Sequence, residues 1–201
     1  MIWRVRRVLT GHDAQGRSTF IADGEAPNVK EMGSNSGLAI TELWETNGAP
    51  ASNEGSKDAG HRTVRLEPPQ NGTVFRIVEF PPDSQWQSLP DARKWAEAID
   101  ADHVPDRRSS DPMMHKTSTV DYIVVLKGEI YAIVDQGETL LRPGDVFVQR
   151  GTNHSWSVRS NEPCVIAVVL VDAKPLGKKA KPPAKKKAAR KEKTARKARR
   201  R

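Results

Sequence analysis

The alternation of polar and apolar positions in residues 113–172 has the two-residue period of a β-strand, and this stretch organises the rest of the chain. In its first strand, polar side chains recur at every second position and share one face: His115, Thr117, Thr119 and Asp121. Short apolar runs follow, each bounded by turn residues such as Gly128, Gly137 and the pair Pro143-Gly144. Strands this short, at such regular spacing, predict a β-barrel or a β-sandwich.

The first 112 residues also carry strand patterns, joined by irregular linkers. Residues 2–22 predict a β-hairpin around a glycine-containing loop, and residues 38–45 and 73–80 predict two further strands. The chain shows no internal repeat that would indicate a second barrel. We therefore expect one barrel, formed by residues 113–173. Residues 1–112 would pack on it as a β extension and linker that extends the sheets or covers their open edges.

Residues 91–99 predict one short helix, with Pro90 or Asp91 near its start. Three apolar side chains share one face of this helix: Trp95, Ala98 and Ile99. We expect that face to cover one edge of the sheet.

The charge of the chain is divided unevenly between its body and its C-terminal tail. Residues 174–201 contain 15 Lys or Arg and one acidic residue, Glu192, so this tail carries a net charge of +14. Since the whole chain carries +8, the remaining body carries −6. The tail has almost no large apolar residue, so we expect it to be disordered. It is either a solvated appendage that contacts RNA or DNA incidentally or an arm that binds nucleic acid through its charge, without reading sequence.

The composition also bears on the compartment of the protein. Cys164 is the single cysteine, so an intramolecular disulfide is excluded and a reducing compartment is expected. No apolar stretch approaches the ~20 residues that a membrane-spanning helix needs. The N terminus is basic but lacks the apolar region of a signal peptide. We therefore expect a cytoplasmic protein without a membrane partner.

Residues 110–172 resemble the cupins, a family of small antiparallel β-barrels with a metal site in the barrel mouth. The first motif of that family has His-x-His, then Glu after three or four residues, and a closing glycine. Here His115 matches the first His, Asp121 stands in the place of Glu, and Gly128 matches the closing glycine. Thr117 stands where the family has its second His, which is a clear departure.

The second cupin motif, Pro-x-Gly-x-x-His-x-x-x-Asn, is matched more loosely. Pro143-Gly144-Asp145 resembles its first part, and His154 follows the turn at Gly151. The resemblance implies an all-β fold, the cupin-type antiparallel β-barrel, which is also described as a double-stranded β-helix or jelly roll. With the elements above, the expected chain has an N-terminal β extension, one short helix and a disordered C-terminal tail.

The resemblance also implies a divalent metal ion, Fe, Mn, Zn or Ni, held by His115, Asp121 and His154. Two imidazoles and one carboxylate are a suitable ligand set for such an ion. However, Thr117 removes one strong ligand, and Asp121 reaches less far than Glu by one methylene group. The alternative is a cupin pocket without metal, in which His115, Thr117 and Asp121 hydrogen-bond to one another.

Four further side chains are expected in the pocket: Thr117, Thr119, Trp156 and Arg76. Trp156 follows His154 on the inward side of a strand, as an aromatic wall or as part of the core. Arg76 binds an anion if its strand turns that side chain inward. The opposite strand phase, with Phe75, Ile77 and Glu79 inward, remains open at this point.

The resemblance implies a protein that binds a small organic molecule in the barrel mouth. It leaves open whether the protein is a metal-dependent enzyme of the dioxygenase, isomerase or decarboxylase type, and no catalytic residue is assigned. The alternative is a non-catalytic ligand-binding or sensory cupin whose basic tail binds nucleic acid. The resemblance also implies a homodimer, formed by exchange of N-terminal strands.

Overall fold

The computed structural model describes residues 2–33, 36–88 and 94–176, and β-strands dominate this part of the chain. Its eleven strands are β1 (Arg6–His12), β2 (Ser18–Glu25), β3 (Asn28–Glu31), β4 (Ala39–Thr46), β5 (Thr73–Phe80), β6 (Thr119–Lys127), β7 (Ile130–Val134), β8 (Gly137–Leu141), β9 (Val146–Arg150), β10 (His154–Ser157) and β11 (Cys164–Asp172). Its helical segments are single turns, α1 (Asp83–Trp86) and a 3₁₀ turn at Glu97–Ile99. The predicted all-β class is confirmed.

The strands form antiparallel sheets of two, three and six strands. The six-stranded sheet has the order β3-β4-β5-β11-β6-β9, the three-stranded sheet has the order β10-β7-β8, and β1 pairs with β2. Single bridges from His115 to Pro105 and to His154 connect the chain before β6 with β10. Because β5 hydrogen-bonds directly to β11, the N-terminal strands β3 to β5 extend the large sheet of the barrel itself.

Strand alternation determines which side chains form the core between the large and the small sheet. In β5, Val74, Arg76 and Phe80 are buried and face the interior, whereas Ile77 packs with Val5 on the opposite face. The central strand β11 adds four buried inward side chains: Cys164, Ile166, Val168 and Leu170. Each fully buried aliphatic side chain stabilises the fold by ~1.5–3 kcal/mol. The phase of β5 therefore turns Arg76 towards the cavity.

The predicted helix at residues 91–99 is corrected by the structure. Residues 91–93 lie outside the described part, and within residues 94–99 only Glu97–Ile99 is helical. Asp100 adopts a left-handed conformation with φ 55°, which ends the turn at once. Trp95 and Ile99 are nevertheless buried, and they cover the barrel interior rather than an edge of the sheet.

The predicted N-terminal hairpin is formed by β1 and β2, which pair from Arg6 opposite Glu25 to His12 opposite Ser18. Its root is fixed to the large sheet by Arg7, which donates a hydrogen bond of 2.9 Å to the carbonyl oxygen of Leu43. The sequence pattern could place this hairpin in the chain but could not show which strand it rests on.

Residues 177–201 lie outside the described residues, so the predicted disorder and nucleic-acid binding of residues 174–201 stay predictions. Within the described ranges, no helix is long and apolar enough to cross a membrane.

Candidate functional site

A cavity lies inside the barrel and is the candidate functional site. It has an empty volume of about 650 Å³, including the part that is open to solvent. Most of its wall is apolar, and four of its lining side chains are ionisable: Arg76, His115, Asp121 and His154. Small-molecule sites in proteins have this form, an apolar cavity with a few polar groups.

The two histidines are brought together by backbone pairing. The N–H of His115 donates to the carbonyl oxygen of His154 at 2.8 Å, and the N–H of His154 donates to that of His115 at 2.9 Å. Their rings lie with centroids 4.2 Å apart, and both side chains are buried. The sequence placed each of them on an inward strand face, and the structure shows them in contact.

Hydrogen bonds to the backbone fix the tautomer of both imidazoles. Nδ1 of His115 lies 2.7 Å from the carbonyl oxygen of Met113, and Nδ1 of His154 lies 3.0 Å from that of Thr152. A carbonyl oxygen only accepts, so each Nδ1 carries the proton and each Nε2 keeps a free lone pair. The pair therefore offers two hydrogen-bond acceptors, or two ligand atoms.

Burial keeps both imidazoles uncharged. It lowers the pKa of His154 to about 3, with a further lowering from the neighbouring charge of His115. Burial also lowers the pKa of His115, against a smaller opposing effect of its hydrogen bond to Met113. At neutral pH neither ring acts as a cation towards a ligand.

Asp121 has a buried carboxyl group that is only partly satisfied. Its side chain is 5% exposed, and its Oδ1 has no hydrogen-bond partner among the described residues. Burial raises the pKa of Asp121 to about 6, although a hydrogen bond from Thr119 and the charge of Arg76 act in the opposite direction. Such a carboxyl group can both take up and release a proton near neutral pH.

Arg76 lines the same cavity from β5 and is 1% exposed. Its guanidinium pairs with Oε1 of Glu42 at 2.8 Å and donates to the carbonyl oxygen of Arg65 at 2.6 Å. Burial lowers the pKa of Arg76 to about 10, so the group is still charged at neutral pH. Its Nε has no hydrogen-bond partner in the described part of the chain, which leaves one buried donor.

Glu42 was missed by the sequence analysis, although it is fully buried beside the site. Burial raises its pKa, and the positive charges of Arg76 and Arg62 act against that rise. Its second oxygen lies 3.3 Å from Arg62, which in turn lies 2.8 Å from Glu45. The available signal in the sequence was a carboxylate at position 42, between the apolar residues Ile40 and Leu43 of β4.

Aromatic rings form one wall of the cavity. Trp156 lies between Phe80 and Phe147, with ring centroids 6.0 Å and 5.7 Å away, and it meets the ring of His154 edge-on at 5.8 Å. Trp95 meets the ring of His115 edge-on at 5.2 Å. The predicted place of Trp156 at the pocket agrees with this arrangement, whereas Trp95 was predicted only as a cover.

The two threonines predicted for the pocket do not line this cavity. Thr117 and Thr119 are buried and hydrogen-bond to each other, with their hydroxyl oxygens 2.8 Å apart. For a metal-free pocket we expected hydrogen bonds among His115, Thr117 and Asp121. In the structure Thr117 instead bonds to Thr119, and His115 bonds to the backbone of Met113. Strand alternation correctly predicted that both side chains are buried, but it did not show how far along the strand the cavity extends.

The metal site that the resemblance implies calls for three converging ligands. In the part of the chain that the structure describes, no group of three or more His, Cys, Asp or Glu side chains could hold a metal ion. The two free Nε2 atoms suit a metal, but Asp121 does not complete the set with His115 and His154. The donor set as it stands therefore does not fit a three-ligand centre, and metal binding by these residues stays a prediction.

Comparisons with known proteins agree with this fold. Residues 103–171 match the family model described as Cupin domain. The cupin-domain-containing oxidoreductase virC of Hypocrea virens is 29% identical over 180 residues, which cover 86% of this chain and 78% of that protein. Phomopsin biosynthesis cluster protein C' of Diaporthe leptostromiformis is 30% identical over 177 residues, covering 85% and 79% of the two chains.

Oryzines biosynthesis cluster protein J of Aspergillus oryzae is 30% identical over 180 residues, which cover 86% of each chain. These likenesses extend well beyond the matched barrel motifs into the N-terminal strands. By the family match, by this similarity along the chain and by its antiparallel barrel, the protein belongs to the cupin superfamily.

Proposed function

We propose that this protein is an enzyme that binds a small, mainly apolar organic molecule in the barrel cavity and transfers a proton on it. The observation that carries the proposal is a pair of buried polar atoms without partners among the described residues, Oδ1 of Asp121 and Nε of Arg76, on two residues that line one apolar cavity. A buried polar atom without a partner costs ~1–3 kcal/mol, and a bound ligand that pairs with it recovers this cost.

The proposed reaction is proton abstraction from a carbon next to a carbonyl group. The carboxylate of Asp121 takes the proton, and the electron pair moves onto the carbonyl oxygen, where the N–H of Arg76 stabilises the developing charge. Return of the proton to a different atom of the ligand gives an isomer and restores Asp121. The neutral Nε2 atoms of His115 and His154 can each accept one hydrogen bond, and so orient a ligand that carries a donor group.

The name of the Hypocrea virens relative supports an oxidoreductase reaction as a second candidate. Such a reaction would start with the same proton abstraction. The enolate would then lose a hydrogen from the next carbon with its electron pair, which leaves a C=C bond conjugated to the carbonyl. Dissolved O₂ would accept that hydrogen with its two electrons and the proton held by Asp121, and so become H₂O₂. No step in either candidate depends on a bound metal ion. The homodimer and the nucleic-acid-binding tail remain parts of this proposal that are separate from the chemistry.

The test uses the full chain and a panel of neutral ketones that includes 2-acetylnaphthalene. Binding is measured by calorimetric titration. Exchange of the hydrogens beside the carbonyl is followed by proton NMR in deuterium oxide, with O₂ uptake recorded on the same mixtures. We expect exchange with the wild type and a loss of ~10²-fold or more in Asp121→Asn. Asp102→Asn, at an exposed carboxylate, is the matched control and should behave as wild type.

Ketone binding without exchange would favour the non-catalytic cupin over the enzyme. If no member of the panel binds, the proposal of a carbonyl ligand in this cavity fails. O₂ uptake that depends on both ketone and Asp121 would favour the oxidoreductase reaction over isomerisation.

A further inference from the structure

We propose that Glu42 determines the ligand specificity of the cavity: by compensating the charge of Arg76, it admits an uncharged carbonyl group and excludes a carboxylate. The inference rests on the proposed function, because it concerns a ligand that contacts Arg76. It assigns a role to a residue that does not line the cavity itself.

Glu42 and Arg76 are direct cross-strand neighbours. The two residues face each other in the pairing of β4 with β5, immediately before the register of the two strands shifts between Glu42 and Trp44. Both side chains are almost completely buried, and their charged groups lie 2.8 Å apart. A buried pair this close is held by the sheet itself, so neither charge can turn away to solvent when a ligand enters.

The cluster behind the cavity is balanced in charge. Arg76 and Arg62 supply two positive charges, and Glu42 and Glu45 supply two negative charges, with separations of 2.8 Å, 3.3 Å and 2.8 Å along the chain of contacts. Arg65 lies 3.9 Å from Glu45, but its side chain is half exposed and its charge is largely screened by solvent. The cavity therefore meets no net positive charge from this side.

Arg76 offers the ligand a hydrogen bond rather than an uncompensated charge. One terminal nitrogen is used by Glu42 and by the carbonyl oxygen of Arg65, while Nε has no partner among the described residues. A ligand carbonyl oxygen needs one donor and loses little hydration on entering an apolar cavity. A carboxylate would lose much more hydration, and it would meet a second carboxyl group at Asp121.

The test compares two probes of nearly the same shape, neutral 2-acetylnaphthalene and anionic 2-naphthoate, by calorimetric titration of the full chain at neutral pH. For the wild type we expect the ketone to bind tighter than the carboxylate by about tenfold or more, because the buried carboxylate of 2-naphthoate would have no free positive charge as a partner. In Glu42→Gln the amide keeps the shape but removes the compensating charge. Its affinity for 2-naphthoate should rise about tenfold, because Arg76 then forms a charge-assisted pair with it.

Two further variants keep the test informative if Glu42→Gln folds poorly. Glu42→Asp retains the negative charge and should retain the preference for the ketone. The double variant Glu42→Gln with Arg76→Gln replaces the ion pair by two amides, and it should lose the gain in 2-naphthoate binding. Circular dichroism and melting curves of each variant establish that the barrel is folded before titration.

The two ideas fail in different ways. If both probes bind and their affinity ratio is the same in wild type and in folded Glu42 variants, the specificity role is refuted while the proposed function stands. If 2-naphthoate binds tighter than the ketone in the wild type, the charge argument is wrong. If neither probe binds any folded variant, the proposed ligand class and this inference fail together.

Discussion

The stability of the metal-free protein should respond to mild acid through two buried groups that act in opposite directions. The perturbation is a change from about pH 7 to about pH 5, with protein treated with EDTA so that no metal competes for the imidazoles. His154 and Asp121 both lie in the cavity and both have pKa values far from their ordinary ones. Their contributions can be separated by single substitutions.

His154 makes the folded state less stable as the pH falls. Its pKa is lowered from 6.5 to about 3, so over this interval the unfolded chain takes up a proton that the folded chain does not. The stability contributed by the neutral ring is complete above pH 6.5 and is lost as the pH falls towards 3. Between pH 7 and 5 the loss is about 2 kcal/mol, and the lowered pKa of His115 adds to it.

Asp121 has the opposite effect. Its pKa is raised from 3.8 to about 6, so the folded chain takes up this proton while the unfolded chain remains ionised. Protonation therefore stabilises the fold as the pH falls through 6, by about 1 kcal/mol between pH 7 and 5. The sum of these effects is a net loss of stability in the wild type on acidification.

Urea unfolding at the two pH values, followed by tryptophan fluorescence, measures the change for each protein against itself. In His154→Gln we expect the loss on acidification to shrink by about 2 kcal/mol, and in Asp121→Asn to grow by about 1 kcal/mol. His12→Gln, at an exposed imidazole, serves as the control. The reasoning is refuted if His154→Gln and the control lose the same stability, since the ring would then be accessible to protons in the folded state.

Three shorter predictions concern the rest of the molecule. Arg76→Gln leaves the buried Glu42 without its closest cation, and urea unfolding should show a loss of about 3–5 kcal/mol; an unchanged midpoint would contradict the buried ion pair. Metal analysis of protein purified without added metal should find less than about a tenth of an equivalent, because no third ligand among the described residues joins His115 and His154; a full equivalent of a divalent metal would contradict this. A chain ending at residue 173 should keep the melting temperature and the oligomeric state by light scattering, because residues 174–201 lack apolar periodicity, and it should lose most binding to bulk DNA at low salt.

The fold could be predicted from the sequence because alternation, turns and motif spacing act within a few residues of one another. The pattern from His115 to Asp121 gave the inward face of β6 and the segment before it, and β5 was predicted with its observed bounds, Thr73–Phe80. The prediction of a short helix at residues 91–99 was only partly right, since the helical turn ends where Asp100 adopts a left-handed backbone conformation. Local signals of this kind determine strands well and single helical turns poorly.

The candidate site depended on contacts between distant residues, which alternation does not fix. No sequence pattern indicated that Glu42 on β4 would face Arg76 on β5, since that pairing follows from the register and the shift at Trp44. The same limit applies to Asp121: its place on the inward face was predicted, but its missing partner and raised pKa depend on everything packed around it. Residue types were therefore predictable, and their chemical state was not.

The polar groups of the cavity share one arrangement that bears on its chemistry. Each histidine is fixed on one side by a backbone carbonyl, which leaves its Nε2 for a ligand. Arg76 is fixed by Glu42 and the carbonyl of Arg65, and its Nε has no partner among the described residues. Groups fixed in this way need no reorganisation when a ligand binds, which is the condition for stabilising a developing charge efficiently. The apolar wall then sets the size and shape of the ligand, while the compensated charge of Arg76 limits its polar group to one that is uncharged before reaction.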